Sequence, residues 1–339
     1  MYNIGMDASD PLDLFLPPVQ RWFRTVLGEP TPAQRQGWPA IAAGQNTLIL
    51  APTGSGKTLA AFLACLDALW RQPSLPGGVR VLYISPLKAL NNDIHRNLQV
   101  PLEGVAQTAR DMGLSLPALE AAVRTGDTPT AERQRLIRRP PHILITTPES
   151  LHLLLTSRAR ETLRGITHCI VDEIHALCTN KRGVFLALLL ERLQALQASG
   201  GRQPPEWNLG GLTPPAQGAD APRSPSFVRI GLSATQRPLE EVARYLGGSE
   251  PDAEGNWQPR PVTIVDAGMR KDLDLRVLSP VDQFGPLPEK SIWPSIYRLL
   301  GDEIRQHRST IVFANNRRAA ERITAFLNDD EEIARAHHG

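Results

Sequence analysis

Short apolar runs rich in β-formers recur along the chain at TLIL (47–50), VLYI (81–84), ILIT (143–146), CIVD (169–172), RIGL (229–232) and TIVF (310–313). Strands that are apolar on both faces belong to parallel sheets covered on both sides. The stretches between them, such as VFLALLLERLQALQ (184–197), have helical spacing. The expected fold is α/β, a doubly wound parallel sheet. At 339 residues and 41% apolar content, the chain can build about two domains with proper cores.

Residues 1–270 are expected to form the first domain. Between Ser199 and Ser226, eleven of twenty-eight residues are Gly or Pro, too few apolar groups to offset the entropy of ordering the segment. The strand pattern resumes at Arg229, so this tract is an insertion within a domain. The extended, proline-containing stretch between about Val265 and Pro288 marks the boundary. Residues 271–339 then begin a second α/β domain with one helix, one strand and a further helix.

Thirty-seven Lys and Arg against thirty-five Asp and Glu leave a net charge of +2, so bulk charge does not demand a polyanionic partner and any nucleic-acid site must be local. Cys65, Cys169 and Cys178 form no C-x-x-C pair and sit in apolar stretches, which suits buried thiols in a reducing compartment. The first fifteen residues carry acids and proline where a secretion signal needs basic residues and an apolar core. No run of about 20 apolar residues occurs, so the expectation is a cytoplasmic protein without a membrane partner.

After TLIL, the segment APTGSGKT (51–58) turns sharply into the helix LAAFLACLDALW. Gly54 and Gly56 permit backbone conformations that aim successive N–H groups inward, making an anion nest at a helix N-terminus. Thr53, Gly54, Ser55, Gly56, Lys57 and Thr58 are the candidate ATP-binding residues, with Lys57 on the β- and γ-phosphates and the Thr58 hydroxyl on Mg²⁺. The first position of the usual G-x-x-x-x-G-K-[ST] pattern is Ala51 here, another small residue. A phosphate cradle needs a metal ligand and a group to position water. CIVDEIHAL (169–177) is expected to supply both from the end of a strand neighbouring TLIL: Asp172 for Mg²⁺ and Glu173 for the water.

These residues resemble superfamily 2 helicases, whose Asp-Glu-x-His box is matched by Asp172, Glu173, Ile174 and His175. In the same order, TPAQRQGWPAI (31–41) resembles the Q motif, SPLKALNND (85–93) motif Ia, TTPESL (146–151) motif Ib, LSAT (232–235) motif III and IVFANNRRAAERI (311–323) motif IV. Within the superfamily the chain looks most like the large helicase-related (Lhr) family, from roughly Trp22 to Gly339. The resemblance implies a RecA-like P-loop domain, the start of a second one, and an ATP-driven 3′ to 5′ translocase. Its implied partners are single-stranded DNA and RNA–DNA hybrids.

It also implies roles. Gln34 would read the adenine edge; Trp22 and Phe23 are candidates either to stack on the base or to staple the N-terminal helix to the core. Ser85, Pro86, Lys88, Asn91, Thr147, Pro148 and Glu149 would hold a phosphodiester chain, with Arg124, Thr125 and Gly126 on the same track. Ser233, Ala234 and Thr235, joined by His175, would couple the acid loop to the nucleic-acid side. No tract resembling motifs V and VI precedes Gly339, so the expectation is a motor core that hydrolyses ATP poorly alone. The alternative left open is a nucleotide-gated clamp that binds ATP and single strands without productive hydrolysis.

Overall fold

The structure, a computed structural model, describes residues 10–86, 88–198, 227–234, 238–268, 274–281, 291–329 and 331–337. The Gly/Pro-rich insertion at 199–226 and Thr235 lie outside the described residues. Two compact units divide between Arg270 and Lys271.

In the first unit the elements run α1 (Pro17–Val26), α2 (Pro32–Ala42), β1 (Thr47–Leu50), α3 (Lys57–Trp70), β2 (Val81–Ile84), α4 (Lys88–Asp111), β3 (Ala121–Arg124), α5 (Thr130–Arg138), β4 (Ile143–Thr146) and α6 (Pro148–Leu155). They continue β5 (His168–Val171), α7 (His175–Cys178), α8 (Lys181–Ala198), β6 (Val228–Ser233), α9 (Leu239–Gly247), the antiparallel pair β7 (Ser249–Pro251) and β8 (Trp257–Pro259), and β9 (Thr263–Asp266). Seven strands form one parallel sheet in the order β3-β4-β2-β5-β6-β1-β9. β3 and β9 are absent from the strand reading of the sequence. Three residues of β3 are only partly buried, because it lies at a sheet edge, and the apolar signal weakens with them.

Alternation along each strand separates two cores. Ile49, Val81, Tyr83, Ile143, Ile145 and Ile170 pack toward α1, α2, α3 and α4. Leu48, Leu50, Leu82, Ile84, Leu144, Cys169 and Val171 pack toward α6, α7, α8 and α9. Asp172 follows Ile170 by two residues, so it emerges on the α3 side. Proline in the first turn and a side-chain cap start α2 and α6: Thr31 and Thr147 accept from the backbone N–H groups of Gln34 and Ser150.

Trp22 and Phe23, the stacking candidates, are buried instead. Phe23 meets Trp38 edge to face at 5.5 Å, and Trp22 lies so close to Gly104 of α4 that an added Cβ would fall 2.1 Å from its indole nitrogen. They fasten α1 to the domain, and their rings are unavailable to a base. The three thiols are free, and burial pushes all of them upward, so they remain protonated.

A charged cluster sits at the other end of the sheet. Arg229 is 1% exposed, and it shares the carboxylate of Glu191 with Arg260, at 3.0 and 2.7 Å. The Arg229 Nη1 also donates to the carbonyls of Leu246 and Gly247, and its guanidinium lies 5.2 Å from the Phe227 ring centroid.

In the second unit, α10 (Trp293–Gln306) and α11 (Arg317–Leu327) pack through Tyr297 stacked on Phe326 at 4.2 Å, with Arg322 over the Trp293 ring. The expected strand TIVF does not form: no strand occurs among the described residues of this unit, and Ile311 and Phe313 are exposed. A strand needs a ladder partner for its N–H and C=O groups, and none is described here. No described helix is long and apolar enough to cross a membrane.

Candidate nucleotide and nucleic-acid site

In a parallel sheet every strand ends in the same direction, so the loops that follow β1 to β6 share one end of the domain, where ligands of open α/β sheets bind. The loop after β1 holds Gly54 at φ 82° and Gly56 at φ 80°, both left-handed. Gly56 is the N-cap of α3 without any side-chain cap, so the first turn keeps N–H groups that have no intrahelical acceptor. A Cβ on Gly56 would meet the Gln34 Nε2 at 2.7 Å, so both backbone angle and space demand glycine. Lys57 is buried and its ammonium rests on the Ala51 carbonyl at 3.4 Å, with no acidic partner within salt-bridge distance among the described residues. The Ser55 hydroxyl is buried without a hydrogen-bond partner. An orphaned hydroxyl, an unpaired ammonium and an uncapped helix start are the donors that a polyphosphate satisfies, and they fit ATP.

Gln34 is 3% exposed and anchors this loop. Its Oε1 accepts from the Thr31 N–H at 2.8 Å, closing a capping box, and its Nε2 points to the Gly56 carbonyl at 3.5 Å. The amide therefore reaches the phosphate loop itself.

Asp172 follows β5 and Ala51 follows β1, with β6 between them, so the two loops stand about 10 Å apart in strand spacing. Both carboxylate oxygens of Asp172 accept hydrogen bonds: Oδ1 from the Glu173 N–H at 2.9 Å, Oδ2 from the Tyr83 hydroxyl. Burial, together with the neighbouring Asp172 carboxylate, pushes the Tyr83 hydroxyl well above its ordinary value, so it remains a donor. Glu173 holds a left-handed φ of 46°, alone among the described non-glycine residues, a conformation that costs energy and concentrates at functional sites. His175 Nδ1 accepts from the Ala234 N–H at 3.4 Å and lies 3.3 Å from Ser233 Oγ. Its Nε2 faces the Glu173 carboxylate at 3.3 Å. Glu173, His175, Ser233 and Ala234 are thus brought together.

Thr58 and Asp172 offer a hydroxyl and a carboxylate, oxygen donors suited to Mg²⁺, which prefers one or two protein ligands completed by phosphates and water. The described residues contain no group of three or more His, Cys, Asp or Glu arranged to hold a metal by themselves.

The loops after β2, β3 and β4 occupy the other half of the same end. Ser85 N–H donates to the Thr146 carbonyl at 3.0 Å and the Thr146 hydroxyl to the Arg124 carbonyl at 2.7 Å, stitching the three loops together. Asp172 N–H donates to the Ile84 carbonyl at 2.9 Å, linking them to the acid loop. Ser85, Pro86, Asn91, Arg124, Thr147 and Pro148 are all buried, and the Thr147 hydroxyl is spent on capping α6. The Lys88 side chain lies outside the described residues. Three buried polar atoms here lack partners: both amide atoms of Asn91 and Nη1 of Arg124. Gly126 accepts from Arg133 through its carbonyl at 2.6 Å, fixing the turn of RTGDT.

Two residues that sequence reading passed over belong to this region. Tyr83 hid within an apolar strand run. Arg182, at the start of α8, donates to both Glu149 oxygens at 2.6 and 3.0 Å and to the Pro86 carbonyl at 2.6 Å. This fork ties the loops after β2 and β4 to the helix that follows the acid box. Only the spacing of an Arg-Gly pair behind the acid box could have flagged it. Burial opposes the shift of Glu149, but hydrogen bonding to Arg182 outweighs it and holds the carboxyl below its usual range.

A phosphate nest leading into α3, answered by acids from a strand beyond its neighbour, is the arrangement of a RecA-like P-loop nucleoside triphosphatase. Comparison with known proteins narrows the class: the DEAD/DEAH box helicase model matches residues 31–242, and the chain belongs to that family. It is 47% identical over 326 residues to the Lhr helicase/probable uracil glycosylase of Mycolicibacterium smegmatis, covering 95% of this chain and 19% of that protein. It is 42% identical to the ATP-dependent helicase Lhr-Core of Methanocaldococcus jannaschii over 95% of this chain and 34% of that one. The solved structure of Mycobacterium smegmatis helicase Lhr bound to ssDNA and AMP-PNP matches with a TM-score of 0.74 at 46% identity, over 95% of this chain and 36% of that one. The chain therefore spans between about a fifth and a third of the length of these relatives.

Proposed function

We propose that this chain carries the ATP-binding half of an Lhr-type motor that uses ATP hydrolysis to move on single-stranded nucleic acid. Residues 1–270 form its first RecA-like domain and 271–339 begin the second. The observation that carries the reading is the division of one sheet end into two groups of loops. The phosphate-loop residues follow β1, the acids follow β5 and Ser233 and Ala234 close β6 beside them, whereas the candidate strand-holding residues follow β2, β3 and β4. The relative solved with ssDNA and AMP-PNP supports the same pair of ligands. The 3′ to 5′ direction and RNA–DNA hybrid unwinding rest on family resemblance.

In this reading Lys57 leaves the Ala51 carbonyl for the β- and γ-phosphates, and Gln34 supports the loop from Gly56 while facing the base. Thr58 and Asp172 would hold Mg²⁺, which would supply neutralisation of phosphate charge there. Glu173 orients the attacking water and takes up its proton as the bond to the γ-phosphorus forms and the bond to the bridging oxygen breaks. His175, held by Ser233 and Ala234, fixes Glu173 on one side and the loop after β6 on the other.

Fluorescent ATP-analogue binding tests the first half of the proposal. Lys57→Ala is expected to weaken affinity about 10- to 100-fold, the worth of a charge-assisted hydrogen bond of roughly 1.5–3 kcal/mol. Equal affinity in both proteins would remove Lys57 from the phosphates. Arg182→Ala tests the second half. Single-strand affinity, read by anisotropy of a labelled oligonucleotide, is expected to fall about tenfold, while nucleotide affinity is unchanged. Because Arg182 is committed to Glu149, the slope of affinity against salt should stay the same; a slope flatter by about one unit would instead make Arg182 a phosphate contact.

A further inference from the structure

Tyr83 lies in the middle of β2, fully buried, and VLYI offers no other polar side chain. Its ring stacks on Phe62 of α3 at 5.0 Å and an interplanar angle of 15°, so the ring alone fills the space between the sheet and the helix that starts at Lys57. Phenylalanine would pack there equally well. The hydroxyl does something packing does not require: it donates to Oδ2 of Asp172. With Oδ1 taken by the Glu173 N–H at 2.9 Å, the carboxylate is pinned at both oxygens and cannot turn about its own bond. Each oxygen keeps a second lone pair for a further donor or an ion.

Building on the proposed ATP site, we propose that Tyr83 is a positioning residue for Mg²⁺, holding the Asp172 carboxylate in the orientation that the ion and its bound waters meet. Outer partners of this kind fix the direction of a metal ligand, and their loss typically costs 10- to 100-fold in metal affinity or activity. Tyr83 also joins two parts of the site that otherwise come from separate strands. Its ring registers the phosphate-loop helix through Phe62, and its hydroxyl registers the acid after β5, so the distance between nest and acid is set partly through one side chain. Without the hydroxyl, a nearly buried carboxylate oxygen loses its donor and the carboxylate is held through Oδ1 alone.

The test uses the 339-residue chain and a fluorescent ATP analogue, titrated with Mg²⁺ and separately in excess chelator. Tyr83→Phe is expected to bind the analogue like the wild type in chelator and to need about 10- to 100-fold more Mg²⁺ for half-maximal enhancement of binding. Combined with Asp172→Asn, Tyr83→Phe should add no further loss, because the group it positions is gone. A Mg²⁺ midpoint within about twofold of the wild type, or a full additive loss in the double variant, overturns the inference. A wild-type chain whose nucleotide binding ignores Mg²⁺ overturns the site reading and this inference with it, whereas a normal wild-type response beside an unchanged Tyr83→Phe overturns the inference alone. Should Tyr83→Phe fail to fold, 3-fluorotyrosine at position 83 keeps the hydroxyl and reports by fluorine NMR. Its resonance is expected to shift when Mg²⁺ and nucleotide are added together and to stay in place with nucleotide alone. A resonance that ignores Mg²⁺ overturns the inference.

Discussion

Glu173→Gln is expected to leave ATP binding intact and to lower turnover about 10²- to 10⁴-fold, the usual contribution of a positioned general base. The measurement is single-strand-stimulated phosphate release by a longer polypeptide carrying both RecA-like units in full, alongside nucleotide binding by the same protein. The carboxylate is held 3.3 Å from the His175 Nε2, and its backbone carries a strained φ of 46°. Glutamine keeps the size and the facing toward His175 but cannot accept a proton. Turnover within about tenfold of the wild type would remove Glu173 from the role of base. Loss of binding together with turnover would mean that the substitution disturbs Asp172, whose Oδ1 accepts from the Glu173 N–H.

Glu191→Ala is expected to destabilise the first unit by about 3 kcal/mol, the low end for breaking a buried ion pair because the Glu191 side chain is 39% exposed. Two guanidiniums share this one carboxylate, and removing it leaves the buried Arg229 without an acidic partner among the described residues and Arg260 with Glu250 alone, at 3.5 Å. For a unit of this size the loss should lower Tm by roughly 6–12 °C, read by thermal melting. Burial alone would raise the Glu191 pKa, but the hydrogen bond from Arg260 and the charge of Arg229 outweigh it and hold the carboxyl below its usual range. A lowered folded pKa contributes stability that is complete above the ordinary glutamate value of about 4.3 and is lost as pH falls through the folded value. The gap between wild type and Glu191→Ala should therefore close in acid. A gap that persists unchanged there, or no fall in Tm at neutral pH, would show that the two arginines do not depend on this carboxylate.

Some of this was written in local pattern. The continuous burial of β1, β2 and β4 shows as apolar runs because both sheet faces are covered. The phosphate loop was legible because Gly54 and Gly56 must take left-handed angles, a demand that only a few residue types meet. The acid box was expected on a strand beside β1, yet β6 pairs with both β5 and β1 and lies between them. Other features left no such trace. Arg229 looks like an exposed strand start until Glu191, 38 positions away, is folded against it. Asn91 and Thr147 were expected to face a nucleic acid, yet both are buried, Thr147 capping α6. Whether Trp22 and Phe23 face a base or staple α1 to the core was open in the sequence, and the packing of α4 and Trp38 against them chose the second.

The sequence by itself determined the α/β alternation, the anion nest and the identity of the two acids, because each depends on residues within a turn or a strand of one another. Only the tertiary structure decided the strand order that sets the loops after β2, β3 and β4 apart from those after β1, β5 and β6, the meeting of His175 with Glu173 and Ser233, the fork of Arg182 and the bond from Tyr83 to Asp172. Those depend on contacts between residues far apart in the chain, where hydrogen-bond geometry and burial are set by which strands happen to lie side by side.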